Sequence, residues 1–117
     1  MSEQLRALQL RLAAFAAARD WEQFHSPKNL AMALSVEAAE LVEEFQWLTE
    51  QQSRELDAER RERVRLELAD VFIYLLRLAD RLDVDLVRAA DDKIAQNERK
   101  YPAQRVRGDA HKYTEYD

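Results

Sequence analysis

The chain has 117 residues, of which 47% are hydrophobic and 35% are charged, and this composition predicts a single folded domain. The formal net charge of −5 argues against nucleic acid as a partner, because nucleic-acid binding depends on basic surface. No apolar run approaches the ~20 residues of a membrane span, and the N-terminus is too polar for a secretory signal. The absence of Cys excludes thiol chemistry. We therefore expect a cytoplasmic protein without a membrane partner.

Two helices are predicted in the first half of the chain. Apolar residues recur at helical spacing over roughly residues 3–24. The second helix begins at Ser26 and Pro27, because serine is a good N-cap and proline suits the first helical position. This helix is expected to extend to about Leu48. The polar stretch over residues 49–57 is predicted to be a connection.

Two further helices follow the connection. The third is predicted over residues 58–82. The fourth begins after Asp83 or Asp85 and ends by Tyr101, because Pro102 disfavours helix in the residue before it. The predicted core stripe of the third helix consists of Leu68, Val71, Phe72, Leu75 and Leu78.

Four helices with short connections predict an all-α protein built as a four-helix bundle. The bundle is assigned to residues 1–102. The polar stretch over residues 103–117 is predicted to be a C-terminal tail that is either flexible or folded over a site. The single glycine, Gly108, lies in this tail, so Gly-rich phosphate-binding loops are excluded.

Acidic residues line one side of the second helix. Glu37, Glu40 and Glu44 are spaced three and four residues apart and therefore share a face beside the leucine stripe. No Lys or Arg lies between Lys28 and Arg54 to neutralise them locally. Like charges in such a column repel one another, so some must stay protonated unless a cation lies among them.

The third helix carries a second acidic pair, Glu67 and Asp70, spaced three residues apart. Two interpretations are equally open for this pair. Together with the second helix it could hold a metal, or it could belong to a solvated face that is paired with Arg63, Arg77 and Arg81.

Oxygen ligands alone favour Mg²⁺, with Mn²⁺ as the alternative, over zinc. A di-iron centre is disfavoured, because it requires Glu-x-x-His pairs and both His25 and His111 lie outside the acidic pairs. Since Mg²⁺ binds through a few carboxylates and substrate phosphates, the pattern indicates a metal-dependent enzyme for a phosphate or diphosphate compound. No Ser-His-Asp set or Cys is present, so metal-activated water is the remaining nucleophile.

At these residues the chain resembles the MazG-like all-α nucleoside triphosphate pyrophosphohydrolases, and within them the dCTP pyrophosphatase group. The similar stretches begin with RDWEQFHSPKNLAMALSVEAAELVEEFQW at residues 19–47 and continue at residues 67–86, 93–102 and 112–115. The resemblance implies that the protein hydrolyses a dNTP to the monophosphate and pyrophosphate. It implies that this dNTP is dCTP or a 5-modified dCTP, and that the reaction removes such nucleotides from the cellular pool. It implies that the catalytic residues and Mg²⁺ ligands are Glu37, Glu40, Glu67 and Asp70.

The resemblance also implies a set of substrate-binding residues. These are Trp21, His25, Asn29, Trp47, Tyr74, Lys93 and Asn97. Aromatic rings would stack on the base, and Lys93 and Asn97 would contact phosphate and sugar or base. The alternative is that both tryptophans are core or interface anchors and that His25 is structural, next to the N-cap Ser26.

The resemblance implies a homo-oligomer, either a dimer or a tetramer. Two other functions stay open from the sequence. One is a broad-specificity NTP or dUTP pyrophosphohydrolase of the same fold, which would differ in its base pocket. The other is a non-catalytic helical interaction module whose acids are ordinary surface.

Overall fold

A computed structural model describes residues 2–108, and all regular structure in that range is helical. The helices are α1 (Glu3–Ala18), a 3₁₀ helix (Glu22–Phe24), α2 (Pro27–Glu43), α3 (Glu50–Arg54), α4 (Ala58–Arg81), α5 (Leu86–Lys100) and α6 (Ala103–Val106). The all-α prediction is confirmed. The chain divides into two units, residues 2–84 and the part from residue 85 onward. The four-helix bundle and the domain boundary after residue 102 stay predictions, and His111 with residues 112–115 lies outside the described range.

In the first unit, α1 and α2 both pack on α4. Serine and aspartate side chains cap the long helices: Ser26 Oγ accepts from the N–H of Asn29 at 3.1 Å, and Asp57 Oδ1 accepts from the N–H of Arg60 at 2.8 Å. Gln9 is buried and its Nε2 donates to a carbonyl of α4 at 3.1 Å. The apolar core consists of Ala16, Leu30, Val64, Leu76 and Ala79.

The predicted core stripe of α4 is wrong at three of its positions. Leu68, Phe72 and Leu75 are 53%, 40% and 37% exposed, and burial falls instead on Val64, Leu76 and Ala79. The physical reason is that α4 is apolar around most of its circumference, so its pattern does not determine which sides α1 and α2 cover.

The first helix is shorter than predicted. α1 ends at Ala18, because Asp20 adopts a left-handed backbone conformation with φ 54, which short polar residues tolerate. The N–H of Trp21 then donates back to the carbonyl of Ala16 at 2.9 Å. This turn redirects the chain into the 3₁₀ helix and positions both Trp21 and His25.

The second helix also ends early, at Glu43 rather than near Leu48, and the predicted connection contains α3. A capping box starts α3: Thr49 Oγ1 accepts from the N–H of Gln52 at 3.1 Å, and Gln52 Oε1 accepts from the N–H of Thr49 at 2.9 Å. The prediction missed this helix because it has only five residues and no apolar periodicity.

In the second unit, α5 has the predicted bounds. Asp85 Oδ1 accepts from the N–H of Arg88 at 3.1 Å, which begins the helix, and the helix ends at Lys100, before Tyr101 and Pro102. The predicted tail contains the short helix α6. None of the helices in residues 2–108 is both long and apolar enough to cross a bilayer.

Candidate active site

Four carboxylates converge where α2 packs on α4. Glu37 and Glu40 lie one turn apart on α2, and Glu67 and Asp70 lie one turn apart on α4. One oxygen from each side chain lies within 4.8 Å of the others, and all four side chains are half-buried. These residues are called the acidic quartet below. The two acidic pairs that the sequence analysis singled out therefore meet at one place.

In the part of the chain that the structure describes, the quartet has no cationic partner. Within residues 2–108, none of its members forms an ion pair with Lys or Arg. Oε2 of Glu37 and Oε2 of Glu67 are buried and have no hydrogen-bond partner in that range. Buried acceptors without partners are costly, so a group that binds them is expected.

The arginines of α4 bind elsewhere. Arg63 Nε lies 3.1 Å from Glu44 Oε2, and the two terminal nitrogens of Arg77 lie 3.7 Å from Glu22 and from Asp80. The ion-paired solvent face considered for this helix is therefore wrong for its acidic pair, and the metal alternative is the one that the geometry favours.

Mutual repulsion changes the ionisation of the quartet. Burial raises the pKa of Glu37 to about 7, helped by a hydrogen bond and the charge of Glu40 and by the charges of Asp70 and Glu67. Burial also raises the pKa of Glu67, with the charges of Glu40 and Asp70 adding to it. At pH 7 Glu37 of the metal-free quartet is therefore protonated in about half of the molecules. A divalent cation could replace this proton, and the set of hard oxygen donors fits such an ion.

Glu44, which directly follows α2 and lies four residues beyond Glu40, is different. Its side chain is 18% exposed, and its carboxylate lies 3.1 Å from Arg63 Nε and 3.7 Å from Arg60 Nη1. Arg60 Nη1 also donates to the backbone carbonyl of Glu44. Glu44 thus joins the end of α2 to the start of α4 and is not a member of the quartet.

A cavity of about 170 Å³ adjoins the quartet in the same unit. Asp70 belongs to both, because it also lines the cavity. The apolar and aromatic part of the lining comprises Leu12, Phe15, Ala16, Trp21, Ile73 and Tyr74. His25 and Arg77 complete the polar part. The cavity thus places aromatic rings beside a candidate metal centre, which suits a nucleotide base next to its phosphates.

Trp21 and His25 are held in place by contacts within this unit. The Trp21 ring centroid lies 5.6 Å from that of Phe15 and 6.5 Å from that of His25, both at edge-on angles. Arg77 Nε donates to His25 Nδ1 at 3.3 Å. Burial lowers the pKa of His25, and the charges of Arg77 and Arg81 lower it further. The imidazole is therefore neutral at pH 7.

The remaining predicted binding residues do not line this cavity. Trp47 is 87% exposed in the turn that follows α2. Asn29 donates its side-chain N–H to the carbonyl of Phe24 at 3.0 Å, which ties the 3₁₀ helix to α2. Lys93 and Asn97 belong to the second unit, where Lys93 Nζ donates to a glutamine one turn along the helix at 3.2 Å.

The sequence analysis missed the place of Arg77 in this cavity, treating it as part of a solvent face. The available signal was its spacing: Arg77 follows Asp70 by seven residues and Tyr74 by three, which places all three on one face of α4. Phe15 on α1 also lines the cavity and is 47% exposed.

The sequence matches a family model described as the MazG-like family over residues 32–116. Curated relatives include dCTP pyrophosphatase 1 of Homo sapiens, 50% identical, and of Rattus norvegicus, 49% identical, each over 105 residues. These matches cover 88% of this chain and 62% of each relative, so the chain spans less than two thirds of their length.

A solved structure gives the same picture of the fold. The crystal structure of a pyrophosphatase from Archaeoglobus fulgidus DSM 4304 is similar, with a TM-score of 0.81 and 40% sequence identity. The match covers 87% of this chain and 95% of the other. The matched family region includes the whole acidic quartet, whereas Trp21, His25 and Asn29 precede it.

Proposed function

Because the chain belongs to the MazG-like family, we propose that it is a Mg²⁺-dependent nucleoside triphosphate pyrophosphohydrolase. The proposed substrate is dCTP or a 5-modified dCTP, and the proposed role is to remove such nucleotides from the cellular pool. The acidic quartet carries the proposal, since its oxygens converge without a cation from residues 2–108. The names of the relatives from Homo sapiens and Rattus norvegicus support the choice of base.

The proposed reaction is hydrolysis at the α-phosphorus. A bond forms between water oxygen and this phosphorus, and the bond from phosphorus to the oxygen that bridges to the β-phosphate breaks. Pyrophosphate leaves with the electron pair, and the water proton passes to a carboxylate that does not hold the cation. Glu37 and Glu40 are the candidates for this role. Mg²⁺ (or Mn²⁺), held by the remaining carboxylates of the quartet, would supply positive charge to the phosphates and favour ionisation of water.

The aromatic cavity is the proposed base site. Trp21, His25 and Tyr74 surround it, and stacking of a base on an aromatic ring contributes ~1–3 kcal/mol. Asp70 lines both the cavity and the quartet, so a base in the cavity has its phosphates directed toward the carboxylates.

Four further residues keep their proposed substrate contacts on the strength of the resemblance. Trp47 is proposed to contact the base, and Lys93 and Asn97 to contact phosphate and sugar or base. Asn29 is proposed as a further contact, in addition to its bond to the carbonyl of Phe24.

We propose that the protein acts as a dimer or a tetramer. Leu68 and Phe72 on α4 and Trp47 are large apolar residues that are 53%, 40% and 87% exposed. Exposure of several large apolar side chains on one chain supports association with a second copy. Sedimentation equilibrium measures the mass directly, and a monomer at micromolar concentration contradicts this part of the proposal.

The test is product release from a panel of dNTPs and NTPs, with Mg²⁺ and with EDTA, using anion-exchange chromatography for the monophosphate and an enzymatic assay for pyrophosphate. The test variant is Glu40→Gln in the quartet, and its matched control is Glu43→Gln on the exposed side of α2. We expect dCTP to yield dCMP and pyrophosphate only with metal, and only in the wild type and the Glu43→Gln variant.

The panel also separates the alternatives. Cleavage of many triphosphates, or preferential cleavage of dUTP, retains the pyrophosphohydrolase and rejects the dCTP preference. Absence of turnover on every substrate, together with no effect of Mg²⁺ on thermal stability, rejects the enzyme in favour of an interaction module.

A further inference from the structure

Arg77 is buried near the end of α4, with 4% of its surface exposed. Burying a guanidinium is costly unless its N–H groups are bound. Nε donates to His25 Nδ1 at 3.3 Å, whereas Nη1 and Nη2 lie 3.7 Å from Asp80 and Glu22, beyond hydrogen-bond distance. Nη2 is buried and, within residues 2–108, has no hydrogen-bond partner. Arg65, twelve residues earlier on the same helix, is by contrast exposed to solvent.

The bond from Arg77 determines the state of His25. A guanidinium is always charged and only donates, so His25 Nδ1 must accept. The imidazole is then neutral and carries its hydrogen on Nε2. Arg81 Nε donates to the backbone carbonyl of His25 at 3.2 Å, which holds the residue in place. Glu22 is the acidic group that opposes this arrangement, and its effect on the pKa of His25 is the smallest.

His25 and Arg77 form one polar wall of the cavity of about 170 Å³. Sites for drug-sized ligands measure about 300–1,000 Å³, so this cavity holds a single ring and not a whole nucleotide. Nη2 of Arg77 is buried and faces Glu22 at 3.7 Å, so the group that this wall leaves for a ligand is Nε2–H of His25, a donor. A ring bound against this wall needs an acceptor on the facing edge.

We propose that Arg77 is a positioning residue that fixes His25 as the Nε2–H tautomer, so that the cavity offers a hydrogen-bond donor to the acceptor edge of a cytosine ring. This inference rests on the proposed function and adds a basis for base selection. Cytosine has two adjacent acceptors, O2 and N3, whereas N3 of uracil and thymine carries a hydrogen that would face a donor. A polar mismatch of this kind discriminates more strongly than a missing apolar contact.

The first test measures the tautomer itself. The chain has two histidines, so ¹⁵N-histidine labelling gives a two-residue NMR spectrum, and a His111→Gln variant assigns it. In the wild type at pH 7 we expect His25 to have a protonated Nε2 and an unprotonated Nδ1. The opposite tautomer or an imidazolium overturns the proposal without any variant of Arg77.

Variants then test the cause. Arg77→Met should shift His25 toward a mixture of tautomers, and Arg77→Lys, which keeps one donor, should restore part of the wild-type signal. Arg65→Met on the same helix is the matched control and should leave the spectrum unchanged. An unchanged His25 spectrum in a folded Arg77→Met variant shows that Arg77 does not fix the tautomer.

The second test measures base selection by binding and by turnover. Titration of the Mg²⁺-loaded wild type with dCMP should perturb Nε2 of His25 more than titration with dUMP. In Arg77→Met the ratio of kcat/KM for dCTP over dUTP should fall at least roughly tenfold, with no change in Arg65→Met. An unchanged ratio overturns the inference while leaving the pyrophosphohydrolase intact. A selective response of Nε2 to dCMP in a protein that cleaves no triphosphate supports the inference and rejects the proposed function.

Discussion

The acidic quartet and Glu44 both lie where α2 and its C-terminal end face α4, yet their surroundings are opposite. Glu44 has the guanidinium groups of Arg60 and Arg63 within 4 Å of its carboxylate, at 3.7 and 3.1 Å. In the quartet, Oε2 of Glu37 and Oε2 of Glu67 have no hydrogen-bond partner among residues 2–108. One turn of α2 separates the two arrangements.

This difference distinguishes a structural acid from a functional one. Glu44 stabilises the packing of α2 on α4 because its charge is neutralised within the fold. The quartet opposes that packing, since like charges converge in a half-buried place. A destabilising arrangement of this kind is typical of a site kept for a ligand, here a cation.

The largest expected effect comes from neutralising one member of the quartet. We expect Glu40→Gln or Asp70→Asn to lower kcat for dCTP by on the order of 10²-fold or more, because the cation and the attacking water lose a carboxylate. Both substitutions keep the shape and remove a repelling charge, so the metal-free melting temperature should not fall.

Glu43→Gln is the matched control for this loss, because Glu43 is exposed and lies outside the quartet. It should retain wild-type turnover. Near-normal activity in both Glu40→Gln and Asp70→Asn means that the quartet is not the catalytic centre.

The second effect is stabilisation by metal. A ligand at about 100 times its Kd stabilises a folded protein by about 2.7 kcal/mol, and 1 kcal/mol shifts the melting temperature of a domain of this size by roughly 4–8 °C. We therefore expect Mg²⁺ or Mn²⁺ to raise the melting temperature of the wild type in differential scanning fluorimetry.

The same ions should leave the Glu40→Gln variant almost unshifted. Ca²⁺ and Na⁺ at matched ionic strength control for general screening of charge. An equal shift in wild type and variant would place the cation elsewhere on the protein.

The third prediction concerns the partnered acid. Glu44→Gln removes the charge that faces Arg60 and Arg63, and we expect the free energy of unfolding to fall by about 1 kcal/mol. Urea denaturation measures this loss, and kcat for dCTP should stay within a few-fold of the wild type. Lost turnover with unchanged stability would show that Glu44 is a catalytic residue and not a structural one.

The quartet could be predicted from the sequence because helical spacing is local. Residues three or four apart share a face whatever the tertiary structure, so Glu37 with Glu40 and Glu67 with Asp70 were found before any coordinates. The sequence did not show which arginine pairs with which acid. Sequence spacing could not show that Arg63 faces Glu44 and leaves Glu67 alone, because this depends on how α2 is rotated against α4.

The same limit explains the errors in the fold. The long helices and the cap at Ser26 follow from local chemistry and were predicted, and Asp85 was one of two predicted candidates for the cap of α5. The left-handed Asp20 and the buried face of α4 were not, because a single turn residue and a helix that is apolar on most sides leave no periodic signal. His25 therefore received a role, whereas Arg77, which contacts it, did not.

The smallest expected effect is the pH dependence of the free energy of unfolding of the metal-free protein. The pKa of Glu37 in the folded, metal-free protein is about 7, above its ordinary value of 4.5, so the folded state holds a proton that the unfolded state releases. The stability that this proton supplies is complete below about pH 4.5 and is lost as the pH rises through about 7. Because the quartet is partly exposed, we expect a loss of only about 1 kcal/mol.

Chemical denaturation in EDTA across this pH range measures this loss of stability, with Glu37→Gln as the reference that cannot titrate. The wild type should lose stability relative to this variant as the pH rises, and a constant difference would show that Glu37 is already ionised and that the quartet is not repulsive.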